Sequence, residues 1–386
     1  MKKINYKKLS EETESAHTSD SPIKSAEYNR AYREWRSKEG NPFVFAGKRS
    51  RNLHTYVDGI GTHKEMSENQ ERSALKSVCK IITAAVFIYA IAENVLIIPV
   101  ILLLKGLGMD IGYSFHESSA CGDQYAVLIA FVFEGVMKFV FPLLFMRKIL
   151  KMPLKVAYPF KVGNSWAVFA AITAALIGFA VTTLIRIYLP LNIFTVNDIN
   201  MTYKISFNMS TGCKTAFLIF ELLLVPIMKE LLYHGALFQA LRQFGVSFAV
   251  IMIAVIVTAE MHNPFSALMI FTTIVIAGYG IWQSGSIMTG IVVHITVRIL
   301  SFMTFWWKDF PDISGIPAEL ISTILVFIIG LISCFILSFS KNKLLVMKDY
   351  ETFISVKGKI RYSVLETSLL MVWVLCGILM LIEVFV

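Results

Sequence analysis

Ionisable side chains lie at helical spacing inside a long apolar run of the sequence. The stretch VPIMKELLYHGALF, residues 225–238, contains Lys229, Glu230 and His234. Glu230 and His234 are four residues apart and share one face of a helix, whereas Lys229 is rotated from Glu230 by about 100°. Such groups cost at least about 2.5 kcal/mol each in hydrocarbon, so they usually face the interior of a bundle and mark function.

Two later apolar stretches carry residues of the same types. AEMHNP supplies Glu260 and His262 and then an Asn-Pro pair, which predicts a break in the helix. GSIMTGIVVHITVRIL presents His294 and Arg298, again four apart on one helical face. Small residues nearby would let these three segments approach closely enough to form one site. They are Gly235, Gly278, Gly280, Ser284, Gly285, Ser286 and Gly290.

The predicted site is compatible with two kinds of chemistry. Imidazole nitrogens from His234, His262 and His294 suit Zn²⁺, which keeps three protein ligands and an open position in catalytic sites. Alternatively, the Glu230 carboxylate is a general base toward water while His262 and His294 hold the oxyanion, without a metal. The non-functional alternative is that each polar group only forms hydrogen bonds between helices. The sequence does not choose between zinc and no cofactor.

The composition predicts an all-α polytopic membrane protein that positions these residues. Apolar residues make up 56% of the 386 residues, charged residues 16%, and the mean hydropathy is +0.64. A transmembrane helix needs about 20 mostly apolar residues, and the chain offers about eight or nine such spans. The predicted spans are 78–104, 125–147, 165–188, 213–241, 244–262, 265–282, 286–307, 316–339 and 364–386.

The domain organisation and orientation follow from polarity and basic residues. The sequence predicts a polar, largely disordered tail over residues 1–75, with one helix near SAEYNRAYREWRSKEG, and the bundle over residues 76–386. We expect Trp35 and the adjacent basic residues to be solvated in this tail rather than to form a binding site. Basic residues are concentrated between the second and third spans and between the eighth and ninth, on the side of the tail. We therefore expect a multi-pass protein of the cell membrane, with a cytoplasmic N-terminus and an outer C-terminus. The concentration of basic residues on one side of the membrane accounts for most of the net charge of +9. The charge therefore does not indicate nucleic-acid binding.

The cysteines predict no metal site, because their spacing fits none. Cys121 and Cys213 map near the same predicted outer face, which would permit a disulfide. Unpaired cysteines in or near apolar spans are the preferred interpretation. Oligomeric state is not indicated by any of these patterns.

About residues 213–300 resemble the CPBP family of intramembrane peptidases, which includes CAAX-processing enzymes and the bacteriocin-processing or Abi proteins. The family's Glu-Glu-x-x-x-Arg motif is similar to KELLYHG, its Phe-x-x-x-His motif to TAEMH, and its His-x-x-x-Asn motif to HITVR. The resemblance implies a peptidase within or at the bilayer that acts on a peptide or a prenylated protein. It also implies Glu230, His262 and His294 as catalytic residues.

The chain departs from the family pattern at several motif positions. Lys229 occupies the place of the first glutamate, His234 that of the arginine, Thr258 that of the phenylalanine and Arg298 that of the asparagine. An ammonium accepts no proton unless burial lowers its pKa far, so Lys229 indicates a reduced or lost peptidase activity. In a catalytically inactive member of the family, we expect Lys229 to form an ion pair with Glu230, or Arg298 with Glu260.

Three other functions stay open on the sequence. The resemblance also implies a binding or immunity role for a non-catalytic member. A transporter would line an aqueous path with Glu134, Glu221, Lys229 and Glu230, although no inverted repeat is visible. A scaffold would present the polar tail to a partner.

Overall fold

The fold is known from a computed structural model that describes most of the bundle. The described residues are 26–36, 38, 56–57, 61–62, 64–114, 119–189, 210–261, 264–307, 312, 315–339, 352, 354–366 and 368–374.

Helices dominate the described residues, as predicted. They are α1 (Ala26–Arg36), α2 (Lys64–Val95), α3 (Ile97–Gly106), α4 (Gln124–Leu150), α5 (Leu154–Ala157), α6 (Ser165–Tyr188), α7 (211–241), α8 (Val246–Ala259), α9 (Pro264–Ser284), α10 (Ile287–Trp307), α11 (Ala318–Ser338) and α12 (Val356–Val364). Two short antiparallel hairpins join them, β1 (Tyr56–Val57) with β2 (Gly61–Thr62) and β3 (Ile111–Ser114) with β4 (Ser119–Gly122).

The all-α polytopic bundle is confirmed. Six described helices are long and apolar enough to cross a membrane, and they correspond to the predicted first, second, third, sixth, seventh and eighth spans. The predicted fifth span is the shorter helix α8, and the predicted fourth is α7, which changes helix type along its length. Most of the predicted ninth span lies outside the described residues. Helix α2 begins at Lys64, inside the segment expected to be a tail.

Helix α7 alternates between α and π geometry. It contains the π-helical segments Phe220–Leu224 and Leu231–Leu237 on either side of the α-helical segment Val225–Glu230. Pro226 has no backbone N–H to donate to the preceding turn, which is a local reason for the wider helix just before it. The π segments change the rotation of side chains around α7, and π segments of this kind are frequent at functional sites.

The turn between α9 and α10 is fixed by the loop before α6. Gly285 has φ +74°, a left-handed conformation that favours glycine. The Ser286 hydroxyl donates to the Phe160 carbonyl at 2.8 Å, and the Ile287 N–H donates to the Pro159 carbonyl at 2.8 Å. These bonds set where α10 begins and therefore where its polar residues enter the bundle.

Helix α1 packs against the bundle. Trp35 is 2% exposed, and its indole N–H donates to the Leu150 carbonyl at the end of α4 at 2.8 Å. The Arg242 guanidinium, which follows α7, lies 4.3 Å from the centre of the Tyr32 ring. Glu27 forms an ion pair with Lys155, and this hydrogen bond lowers the pKa of the Glu27 carboxyl. The predicted helix in the polar segment is confirmed, but the expectation that Trp35 is solvated is wrong.

The described cysteines follow the preferred interpretation. Cys121 and Cys213 are both free, the first exposed and the second buried.

We predict that Trp35→Ala destabilises the protein by about 3–5 kcal/mol, because it removes a buried aromatic side chain and leaves the Leu150 carbonyl without its donor. The measurement is the thermal unfolding midpoint in detergent. Arg30→Ala is the matched control on the same helix, since Arg30 only pairs with Glu34 on the surface. Equal midpoints for the two variants would contradict the packing of α1 on the bundle.

Candidate active site

The Glu230 carboxylate is the centre of the candidate site. Glu230 is 0% exposed and lies at the end of the α-helical segment of α7. Its Oε2 is 2.8 Å from Nδ1 of His234, and its Oε1 is 3.0 Å from Nε2 of His294 on α10. The first contact is a hydrogen bond, whereas the second has an ion-pair distance without hydrogen-bond alignment. Each carboxylate oxygen therefore faces its own imidazole.

Two glycines make room for this arrangement. At Gly290 on α10, an added Cβ would collide with Oε2 of Glu230. At Gly278 on α9, an added Cβ would lie 3.1 Å from Nε2 of His234. The helices approach the buried carboxylate and imidazole where these positions carry no side chain.

The two histidines differ in access. His234 is 1% exposed, and its Nε2 is buried against α9 without a hydrogen-bond partner. His294 is 6% exposed, and its buried nitrogen is Nε2, on the side of Glu230. Nδ1 is thus the nitrogen of His294 that remains for a water or a substrate. His234 is therefore enclosed by the bundle, whereas one ring nitrogen of His294 is not.

Arg298 and Glu221 form an ion pair next to the site. Nη2 of Arg298 is 2.6 Å from Oε2 of Glu221, which lies in the first π segment of α7. Glu221 and Glu230 are nine residues apart, so a regular α-helix would direct them about 180° away from each other. Both nevertheless contact α10, and the π segment between them supplies the change in rotation. The expected pairing of Arg298 with Glu260 is replaced by this one.

Glu260 and the residues of α2 and α4 complete a second polar region. Oε2 of Glu260 accepts a hydrogen bond from the Tyr233 hydroxyl at 2.7 Å. Lys138 lies 3.4 Å from Glu93 and 3.7 Å from Glu134. Each carboxylate of this region thus has a local partner.

Lys229 differs from the other cations of this region. It is half-buried, and the charges of Arg298, Glu260, Lys138 and Glu93 act on it. Among the described residues, none has a carboxylate oxygen within 4.0 Å of its ammonium, and no hydrogen bond to it is formed. The expected pairing of Lys229 with Glu230 is absent from the described contacts, because both oxygens of Glu230 face imidazoles.

The third predicted histidine, His262, lies outside the described residues. The structure therefore brings together Glu230, His234 and His294, and leaves the position of His262 open. Within the described ranges, no group of three His, Cys, Asp or Glu residues could hold a metal ion.

Two further residues of this region are not indicated by the sequence as part of the site. Tyr233 gives no signal, since tyrosine in an apolar helix is common. Gly290 is predicted only as one of several small residues, although it lies four residues before His294 and therefore on the same helical face. That spacing is the signal that could have identified it as the position facing Glu230.

The fold and site define a multi-pass helical membrane protein with a buried carboxylate held between two histidines. The family model of the type II CAAX prenyl endopeptidase Rce1-like proteins matches residues 211–300, which includes α7, α8, α9 and most of α10. This match confirms the resemblance to CAAX-processing proteins over that segment. Comparisons with curated proteins and with solved structures gave no match.

We predict that Gly290→Ala destabilises the protein by about 1–3 kcal/mol, because the added methyl group displaces the Glu230 carboxylate. Gly212→Ala is the matched control, since nothing lies within 4 Å of its added Cβ. This control should leave stability unchanged or raise it by up to about 1 kcal/mol, through the helix propensity of alanine. The measurement is the thermal midpoint of each variant, and a Gly290→Ala midpoint at or above that of Gly212→Ala would contradict the close approach.

Proposed function

We propose that the protein is an intramembrane endopeptidase that hydrolyses a peptide bond of a peptide or prenylated-protein substrate at the bilayer. The observation that carries the proposal is the Glu230 carboxylate, fully buried between His234 and His294 in the segment similar to CAAX-processing endopeptidases. A carboxylate is kept charged in a membrane bundle at a high free-energy cost, so a site of this kind is a functional one by default.

His294 is the general base in this proposal. Nε2 of His294 faces the carboxylate of Glu230, and a carboxylate only accepts hydrogen bonds. Glu230 therefore favours the tautomer with the proton on Nε2, which leaves the Nδ1 lone pair to accept a proton from water. The misaligned contact would straighten when a substrate binds, as catalytic hydrogen bonds commonly do.

The hydrolysis then needs two proton transfers. Water attacks the carbonyl carbon while His294 accepts its proton, and Glu230 stabilises the imidazolium through its charge. The tetrahedral intermediate collapses as the C–N bond breaks, and His294 returns the proton to the leaving amine. His234 takes no part in these transfers but orients Glu230. His262, which the resemblance implies as a catalytic residue, is assigned to positioning the water or the oxyanion.

The proposed endopeptidase could also hold a zinc ion. A zinc ion held with His262 would supply a Lewis acid and a bound water, and metal content of the purified protein tests for it.

The basic residues favour a cytoplasmic N-terminus and an outer C-terminus in a cell membrane. Accessibility of single introduced cysteines on either side of intact vesicles tests this orientation.

Lys229 favours a second candidate, a non-catalytic binding or immunity protein. In the family pattern this position is a glutamate, and an ammonium cannot replace it as a base. The endopeptidase proposal avoids this objection because the proton goes to His294. A transporter is less well supported, since Glu134 and Glu221 each pair with a local cation.

We predict that the protein in liposomes cleaves peptides from a panel of farnesylated and unmodified sequences, and that His294→Ala and Glu230→Gln lower kcat by at least about a hundredfold. The first variant removes the base and the second the charge that stabilises it. Cleavage is measured by mass spectrometry of the products.

The matched control is Ser301→Ala on the same helix, because the Ser301 hydroxyl donates only to the Val297 carbonyl and to the sulfur of Met269. It should keep the wild-type kcat. Thermal midpoints near that of wild type show that the inactive variants are folded. No cleavage of any peptide by the wild-type protein would favour the non-catalytic candidate.

A further inference from the structure

The other cations around the site form ion pairs with carboxylates, and one cation of the described residues is left without such a contact. Arg298 is held by Glu221, and Lys138 by Glu93 and Glu134. Among the described residues of this region, Lys229 is the lysine or arginine whose cation has no carboxylate contact. A cation in a low-dielectric bundle is costly without a counter-charge. A ligand that brings negative charge to Lys229 would therefore be stabilised strongly.

Lys229 lies on the helical segment that also carries Glu230. It directly precedes Glu230, and the segment Val225–Glu230 packs against α10, which carries His294. Arg298, one helical turn beyond His294, is among the charged groups that act on Lys229. Lys229 also keeps part of its surface accessible, whereas Glu230 and His234 do not. The segment that carries Lys229 therefore packs against the helix that carries His294, and part of the Lys229 surface is accessible.

We propose that Lys229 is the oxyanion-binding residue of the site. This inference rests on the proposed endopeptidase function. When water adds to the carbonyl carbon and His294 takes the proton, the carbonyl π electrons move to the oxygen. The Lys229 ammonium donates a hydrogen bond to this oxyanion and supplies the opposing charge. As the C–N bond breaks, the electrons return to the carbon and the products are a carboxylic acid and an amine.

This role gives the departure from the family pattern a chemical meaning. A lysine at this position needs to donate a proton in a hydrogen bond, not to accept one, and the base lies on α10 instead.

The experiment measures binding and turnover separately, in lipid nanodiscs. Two non-cleavable analogues of one farnesylated peptide are compared, one with a phosphinate in place of the scissile amide and one with a neutral reduced amide. The phosphinate reproduces the tetrahedral oxyanion. We expect the wild-type protein to bind the phosphinate at least about tenfold more tightly than the neutral analogue, and Lys229→Gln to lose this preference. Lys229→Arg should keep most of it.

Turnover gives the second readout. Lys229→Gln should lower kcat by about a hundredfold with little change in KM, because the oxyanion exists only beyond the ground state. The matched control is Lys138→Gln, which removes a nearby lysine that already has carboxylate partners. It should keep the phosphinate preference. A role of Lys229 in stability alone would lower the thermal midpoint and leave the preference intact.

The outcomes separate this inference from the proposed function. If the wild type cleaves peptides and Lys229→Gln keeps both kcat and the phosphinate preference, the inference is wrong and the endopeptidase remains. If the wild type shows the preference but cleaves nothing, the oxyanion site stands and the endopeptidase is wrong. If it shows neither, both are wrong.

Discussion

A buried carboxylate must be compensated inside a low-dielectric bundle, and the compensation of Glu230 fixes much of the architecture around it. Two imidazoles face its two oxygens, one from its own helix and one from α10. Removing either would leave a fully buried charge only partly stabilised. The close approach of α10 at Gly290 and of α9 at Gly278 follows from this need, because both helices must reach the polar pair without a side chain between. Helix packing and site chemistry are therefore one constraint here.

The broken geometry of α7 is the second consequence. Glu221 and Glu230 both interact with α10, through Arg298 and His294 respectively. A uniform α-helix would turn one of them away, toward a neighbouring helix or lipid, where no counter-charge is available on α10. The π segment Phe220–Leu224 changes the rotation between the two carboxylates, and Pro226, which donates no backbone hydrogen bond, lies two residues after it. The irregular helix is thus compatible with both contacts to α10.

The sequence allowed the spans and the clustering of Glu230, His234 and His294 to be predicted, but not the pairing of charges. Long apolar runs and the i, i+4 spacing of Glu230 with His234 are local properties of the chain. They therefore predict the helices and the shared helical face without knowledge of the tertiary structure. The Arg298–Glu221 pair was not predictable from the sequence. It depends on a π segment that changes the direction of the side chains around α7, and no residue pattern predicts that segment. Trp35 was misjudged for a related reason. Its polar surroundings indicate a solvated tail, whereas its burial depends on a carbonyl at the end of a helix far along the chain.

The sign of the charge at position 229 does not by itself decide whether hydrolysis is possible. Hydrolysis requires a base for water and a donor for the oxyanion, and these roles are defined by position relative to the carbonyl. In the proposed mechanism, His294 on α10 is polarised by Glu230 and is the base. A second carboxylate at position 229 would then add a negative charge next to Glu230 and oppose the oxyanion electrostatically, whereas an ammonium attracts it. Under the proposed mechanism, the arrangement of Glu230 and His294 is therefore compatible with a lysine at position 229.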